Sequence, residues 1–214
     1  VRRDSRITPA QQPALESFWP RYALAPLNTR ADLDAAFGRV APTTLEIGSG
    51  DGACTLALAS RALDENFIAV EVYRPGLGHL LNRAANQSLA NIRVSDADIC
   101  DLLAPLTEPM FDRVLVFFPD PWPKRRHHKR RLIQPEFVEM ISSRLKPGGH
   151  LHVATDWQDY AEHISKTLQA SPTLTNCAPS GAYSPRPDYR SLTKYEARGQ
   201  RLGHGVWDII YQKD

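Results

Sequence analysis

Cysteine is scarce in this chain: three in 214 residues, Cys54, Cys100 and Cys177, far apart and with no CxxC pair. That spacing argues against a disulfide framework or a structural zinc site and points to a reducing, cytoplasmic setting. No apolar run approaches the roughly 18 residues of a membrane span, and the opening Val1-Arg2-Arg3-Asp4 is not expected to begin a secretory signal, so no membrane partner is expected. Internal repeats and low-complexity tracts are absent. Overall charge of one sign is also lacking, since 26 Lys+Arg face 24 Asp+Glu for a formal net of +2. That near-balance hides one local concentration. Lys124, Arg125, Arg126, Lys129, Arg130 and Arg131 occupy six of eight consecutive positions, with His127 and His128 as the other two. Without those six cations the rest of the chain holds 20 against 24, a net of −4. A patch this confined suits a polyanion, and nucleic acid is the favoured partner. A merely solvated basic run is the plain alternative.

The segment before the patch gives it meaning. Val114-Leu115-Val116-Phe117-Phe118 reads as a buried parallel strand, and Pro119-Asp120-Pro121-Trp122-Pro123 comes directly after it. Open α/β sheets keep their ligands at the carboxyl ends of strands, where this carboxylate and aromatic fall. Trp122 either stacks on a base or packs the turn.

Strand and helix signals alternate along the chain. Strands are expected at Thr43–Ile47, Phe67–Val72, Asn91–Val94, Asp112–Phe118 and His150–Thr155. A helix is expected from about Gly52 to Leu63, and a second opens near Pro75 with Leu77, Leu80, Leu81 and Ala84 at helical spacing. Pro135 opens a third, with Phe137, Val138, Ile141 and Leu145, ended by Lys146-Pro147-Gly148-Gly149. This rhythm predicts a doubly wound, mostly parallel sheet. The first 40 residues, rich in Pro and Arg, read as a helical or irregular arm, and residues 41–214 as a single domain.

Leu45-Glu46-Ile47-Gly48-Ser49-Gly50-Asp51-Gly52 is the second informative segment. Glycines between strand and helix let the backbone approach a ligand and tolerate positive φ. Glu71, 23 residues after Gly48, can accept both hydroxyl protons of a ribose. Glu46 tilts the choice of ligand, because a carboxylate there sits badly beside a pyrophosphate but suits an ammonium. An adenosine with a methionine tail carries that ammonium, a ribose diol and no phosphate, so S-adenosylmethionine fits better than NAD. A plain tight turn is the bland alternative.

At this point the chain resembles the bacterial single-subunit tRNA (guanine-N7-)-methyltransferases, from about residue 43 onward. The resemblance rests on Leu45-Glu46-Ile47-Gly48, Pro119-Asp120-Pro121-Trp122 with the basic tail, Thr155-Asp156-Trp157, Thr193-Lys194-Tyr195-Glu196 and Gly203-His204-Gly205-Val206-Trp207-Asp208. It implies a class I methyltransferase fold (Rossmann-like, seven strands) whose last strand, Val206 to Tyr211, is antiparallel. It implies S-adenosylmethionine as methyl donor, no metal, tRNA as substrate and no obligate protein partner. The modified atom would be N7 of a guanine in the variable loop. Carried over position by position, Glu46, Gly48, Gly50 and Glu71 fall in the cofactor site, with Asp96 or Asp98 at the adenine and Asp120 touching guanine and cofactor. Lys124, Asp156 and Thr193 to Glu196 correspond to substrate contacts. Arg126, His127, His128, Lys129, Arg130 and Arg131 would follow the RNA backbone. The family usually has Asn where this chain has His128.

Two of these segments also read as local structure, Asp156 as a helix cap and Thr193-x-x-Glu196 as a capping box. Residues 171–190, with four prolines, form a long loop of the kind that is usually functional or disordered. Other functions predict different features. A methyltransferase for exocyclic amines resembles this Asp-Pro-Trp, but has Pro where Trp122 stands. A non-catalytic RNA-binding module has no need of Glu46, Glu71 and the glycine turn together, and an NAD-linked reductase offers no reason for the basic segment.

Overall fold

The computed structural model describes residues 11–190, Glu196 and residues 205–214. Seven strands form one mixed sheet in the order β3-β2-β1-β4-β5-β7-β6, with helices between successive strands as far as β6. The expected fold class is thus observed. The chain divides into two compact units, Val1–Phe111 and Asp112–Asp214.

In the first unit, helices α1 (Gln11–Tyr22) and α2 (Arg30–Phe37) precede β1 (Thr43–Ile47). Thr29 and Asp32 make a reciprocal capping box at the start of α2, and Gly38 ends it in the left-handed region. α1 lies on α4 (Arg74–Asn86), and Leu24 donates its amide to the Val94 carbonyl at 2.8 Å. The arginines of this region are used on backbone carbonyls: Arg30 reaches Ala41 and Met110, Arg39 reaches Leu63 and Glu65, and Arg93 reaches Ala36.

β1 and β2 (Asn66–Val70) are buried at every position and pair in parallel, and β2 pairs in parallel with β3 (Ile92–Ser95). Between them run α3 (Ala53–Arg61) and α4, whose Leu77, Leu80, Leu81 and Ala84 are fully buried, as their spacing predicts. A short α5 (Ile99–Leu103) follows β3.

Both ends of β2, β3 and β4 differ from expectation by one or two residues. β2 stops at Val70 rather than Val72, so Glu71 lies just beyond the strand. β3 starts at Ile92, and Asn91 before it turns its side-chain amide onto the carbonyls of Ala59, Ala62 and Glu65. β4 (Phe111–Phe117) ends before Phe118, which takes a left-handed φ of 53°.

In the second unit a 3₁₀ turn (Arg125–Arg130) leads to α6 (Pro135–Arg144), then β5 (Leu145–Thr155), α7 (Gln158–Gln169), β6 (Leu174–Asn176) and β7 (Trp207–Lys213). β5 starts five residues earlier than expected. Leu145 is already extended (φ −76°, ψ 139°), and Pro147 biases its predecessor away from helix. Pairing with β7 runs from His150 opposite Gln212 to Thr155 opposite Trp207, and it is antiparallel, as expected of the last strand. No helix among the described residues is long and apolar enough to cross a membrane.

Candidate functional site

The turn between β1 and α3 has the backbone its glycines permit. Gly48, Gly50 and Gly52 have φ of 76°, 58° and 74°. Two of the site's glycines are enforced by crowding as well. A Cβ on Gly52 would stand 2.4 Å from the Leu80 side chain, and one on Gly76, in the first turn of α4, 2.2 Å from the Gly50 carbonyl oxygen. The amides of Gly48 and Ser49 donate to the Val70 carbonyl at 2.8 and 3.2 Å, so the turn is tied to the end of β2.

Glu71 completes that tie. One carboxylate oxygen accepts the Gly50 amide at 2.8 Å and the other the Tyr73 amide at 2.8 Å. Glu46, on β1 beneath the turn, is 5% exposed and accepts a hydrogen bond from the Thr55 hydroxyl. Burial pushes its carboxyl up to about 7, with the hydrogen bonds from Thr55 and Cys54 only partly offsetting that. A buried carboxyl at that value is poised to ionise when a cation arrives. The two aspartates after β3 are placed differently. Asp98 caps α5 by accepting the Cys100 amide at 2.9 Å, whereas Asp96 stands 3.6 Å from the Arg74 guanidinium. Among the described residues no cluster of three or more His, Cys, Asp or Glu is placed to hold a metal ion.

In the second unit, the segment after β4 is a short loop with left-handed residues at both ends, Phe118 at φ 53° and Trp122 at φ 45°. Non-glycine residues there are strained, and they persist only where surrounding contacts over-determine them. The Phe118 amide donates to Ala154 on β5 at 2.8 Å, and Pro119, Pro121 and Pro123 stiffen the rest of the loop. Asp120, in the middle, is exposed. Trp122 is half-buried, with the Arg130 guanidinium 5.1 Å over its ring and His127 edge-on at 5.8 Å.

The basic run divides in two. Lys124, Arg125, Arg126, Lys129 and Arg130 are exposed. Arg131 is 3% exposed, and its guanidinium is engaged within the unit. It donates to the Pro121 carbonyl at 2.9 Å, pairs with Asp159 and lies 4.8 Å over the Tyr160 ring. His128 joins this group, its Nε2 standing 3.1 Å from Arg131 and 3.7 Å from Asp159.

Asp156 follows β5 and lines an open cleft of about 530 Å³ with Trp157, Asp159, Glu162, Gly205 and Trp207. It does not cap α7, whose N-cap position is Trp157 and has no side-chain cap. Glu196 is 1% exposed, and its carboxylate takes two hydrogen bonds from Arg190, at 2.6 and 2.9 Å. Thr193, Lys194 and Tyr195 lie outside the described residues.

Sequence reasoning missed the cluster around Arg190. Asp208 on β7 accepts from Arg190 at 2.9 Å and stands 2.7 Å from His152 Nε2, while the Tyr189 hydroxyl meets His152 Nδ1 at 2.8 Å. Burial pushes the His152 imidazole below its ordinary value, against the pull of Asp208. Burial alone would raise the Asp208 carboxyl, but its bonds to His152 and Arg190 outweigh that and hold it low. The only signals in the chain were an acidic residue inside an apolar strand, Asp208, and an Arg closing the proline-rich loop.

Comparison with known proteins fits this geometry. Residues 40–209 match a family described as putative methyltransferase. A tRNA (guanine-N(7)-)-methyltransferase from Methylococcus capsulatus is 51% identical over 214 residues, all of this chain and 92% of that protein. The protein of the same name from Pseudomonas aeruginosa is 49% identical over 214 residues, 88% of its own length. Among solved structures, the 16S rRNA methyltransferase KamB aligns with a TM-score of 0.64 at 16% identity, over 91% of this chain and 99% of that one. At that identity the likeness is one of fold.

Proposed function

The chain belongs to the tRNA (guanine-N7-)-methyltransferase family, and we propose that it moves a methyl group from S-adenosylmethionine to N7 of a guanine in the tRNA variable loop. The observation that carries this reading is identity near 50% over the whole chain to relatives of that name. A tRNA substrate implies work in the cytoplasm.

The residues of the first unit fit the methyl donor. Glu46 offers a buried carboxyl whose ionisation a ligand ammonium would favour, and Glu71 holds the glycine turn while keeping lone pairs for a ribose diol. The side chain of Asp98 is committed to α5, which favours Asp96 for the adenine. When bound, S-adenosylmethionine supplies a methyl carbon already activated by its sulfonium.

The guanine N7 lone pair forms the new bond as the carbon–sulfur bond breaks and its electron pair returns to sulfur. N7 carries no proton, so no base is required, and the protein contributes positioning and electrostatics. The purine becomes cationic in the product. Asp120, in a loop stiffened by prolines, is the carboxylate assigned to stabilise that charge. Lys124 and the exposed cations after it are assigned to phosphates, where they position the RNA without reading its bases. Asp156 and the segment Thr193–Glu196 are assigned to the substrate, with the Glu196 carboxylate acting through Arg190.

The test is transfer of labelled methyl from S-adenosylmethionine to bulk tRNA, followed by nucleoside analysis. Label in 7-methylguanosine is expected. Label on an exocyclic amine would favour the amino-methylating reading, and cofactor binding without transfer would favour a binding module.

A further inference from the structure

The six cations between 124 and 131 look alike in sequence, yet one of them faces inward. Arg131 is 3% exposed, while the cations at 124, 125, 126, 129 and 130 are exposed. We propose that Arg131 is a positioning residue, whose guanidinium clamps the Pro119–Trp122 loop to the start of α7, and not a phosphate contact. The inference rests on the reading of Asp120 as the catalytic carboxylate, since Asp120 is carried by that loop.

Three contacts define the clamp. Nε donates to the Pro121 carbonyl at 2.9 Å, the residue directly after Asp120. Nη2 pairs with Asp159 in the first turn of α7. The flat face lies 4.8 Å over Tyr160, whose hydroxyl in turn accepts the Ile133 amide at 3.1 Å. The planar fork of arginine serves a carbonyl, a carboxylate and a ring at once, and a lysine cannot.

The loop needs such a clamp. Phe118 and Trp122, at either end, both hold left-handed φ, a conformation that relaxes unless its surroundings fix it. The prolines limit φ at 119, 121 and 123 but provide no amide to tie the loop down. Arg131 ties it through the Pro121 carbonyl instead. A buried guanidinium already paired with a carboxylate also has little to offer a phosphate. His128 sits against the same guanidinium and so belongs to the clamp rather than to the RNA path.

Arg131→Gln, Arg131→Lys and Asp159→Asn test this in the 214-residue chain, beside Lys129→Ala/Arg130→Ala and Asp120→Ala. Methyl transfer is followed at several salt concentrations, and backbone ¹⁵N order parameters are read at Asp120 and Trp122. Arg131→Gln is expected to lower kcat by up to about 10²-fold, the cost of a misplacement near 1 Å. Its tRNA Michaelis constant and salt slope should stay near wild type, and both order parameters should fall. Arg131→Lys keeps the charge and should still lose kcat, whereas at a phosphate it would keep both constants. Asp159 is exposed enough for its Asn variant to fold, so a several-fold kcat loss there supports the clamp even where Arg131→Gln unfolds.

Unchanged order parameters in Arg131→Gln, or in Asp159→Asn should the first not fold, would overturn the proposal. So would a raised Michaelis constant with a flattened salt slope. The order parameters decide the matter without turnover. A wild-type chain that methylates no tRNA, or an Asp120→Ala variant of normal activity, would instead sink the functional reading on which the inference rests.

Discussion

Glu71 accepts the Gly50 amide through one carboxylate oxygen and the Tyr73 amide through the other, both at 2.8 Å. The acidic group assigned to a ribose therefore already shapes the turn that would receive it. This makes glutamine a poor substitute. Its amide nitrogen would face one of those two N–H donors, leaving a donor without a partner at a cost of about 1–3 kcal/mol. Glu71→Gln is expected to bind S-adenosylmethionine about 10-fold or more weaker than wild type and no better than Glu71→Ala, with RNA affinity retained. Calorimetric titration reads the outcome, and near-normal binding by the Gln variant would count against the assignment.

Glu46 makes stability depend on pH. Its folded value of about 7 lies above the ordinary 4.5, so between the two the folded chain keeps a proton that the unfolded chain has released. Its contribution is therefore fully present below pH 4.5 and is lost as pH rises to 7, at most about 3 kcal/mol in all. Denaturant unfolding at pH 5 and pH 7.5 should show this loss in wild type and not in Glu46→Gln. Binding a ligand ammonium should ionise the carboxyl, so cofactor titration near pH 6.5 should release protons from wild type and fewer from the variant. Buffers of different ionisation enthalpy measure that release.

Asp120→Ala should leave the fold intact and lower kcat by about 10²–10³-fold, the effect of losing one preorganised electrostatic partner, roughly 2.7–4 kcal/mol in the barrier. Single-turnover methyl transfer with saturating tRNA isolates the step. A folded variant of near-normal rate would remove Asp120 from the mechanism.

Neutralising Lys129 and Arg130 together should raise the tRNA Michaelis constant far more than that of the cofactor. Each phosphate left without its cation should reduce the log–log salt slope by roughly 0.7 to 0.9 in magnitude. Different substrate tRNAs should suffer about equally, because such contacts carry no base information. An unchanged slope would mark the two as a solvated face.

Arg190→Ala removes the cation between two buried carboxylates, Glu196 and Asp208. Stranding buried charge costs about 3–5 kcal/mol. A drop of that order in the unfolding free energy is expected from denaturant titration, and a drop under about 1 kcal/mol would mean that the carboxylates find other partners.

These residues also mark where the sequence could be read and where it could not. Leu77, Leu80, Leu81 and Ala84 announced the buried face of α4 because helical periodicity is a local property. The glycines at 48, 50 and 52 announced left-handed φ for the same reason. Arg131 was indistinguishable from its neighbours, since its burial depends on Asp159 and Tyr160 some thirty residues on. The pairing of Arg190 with Asp208, and of Asp208 with His152, joins segments that only the sheet brings together. Asp156 as a helix cap was a sound local pattern, and the observed N-cap of α7 at Trp157 overrode it.

The backbone contact between Gly76 and the Gly50 carbonyl bears on descent as well as on packing. No side chain fits at 76 while the glycine turn keeps its path, whether or not a ligand is present. Mutational drift at that position is closed until the turn itself is rebuilt, so the turn and the start of α4 can only diverge together. A descendant that abandoned methyl transfer but retained the turn would still carry glycine at 76. Its persistence there would be inherited from the architecture, and would say nothing about whether the chemistry had survived.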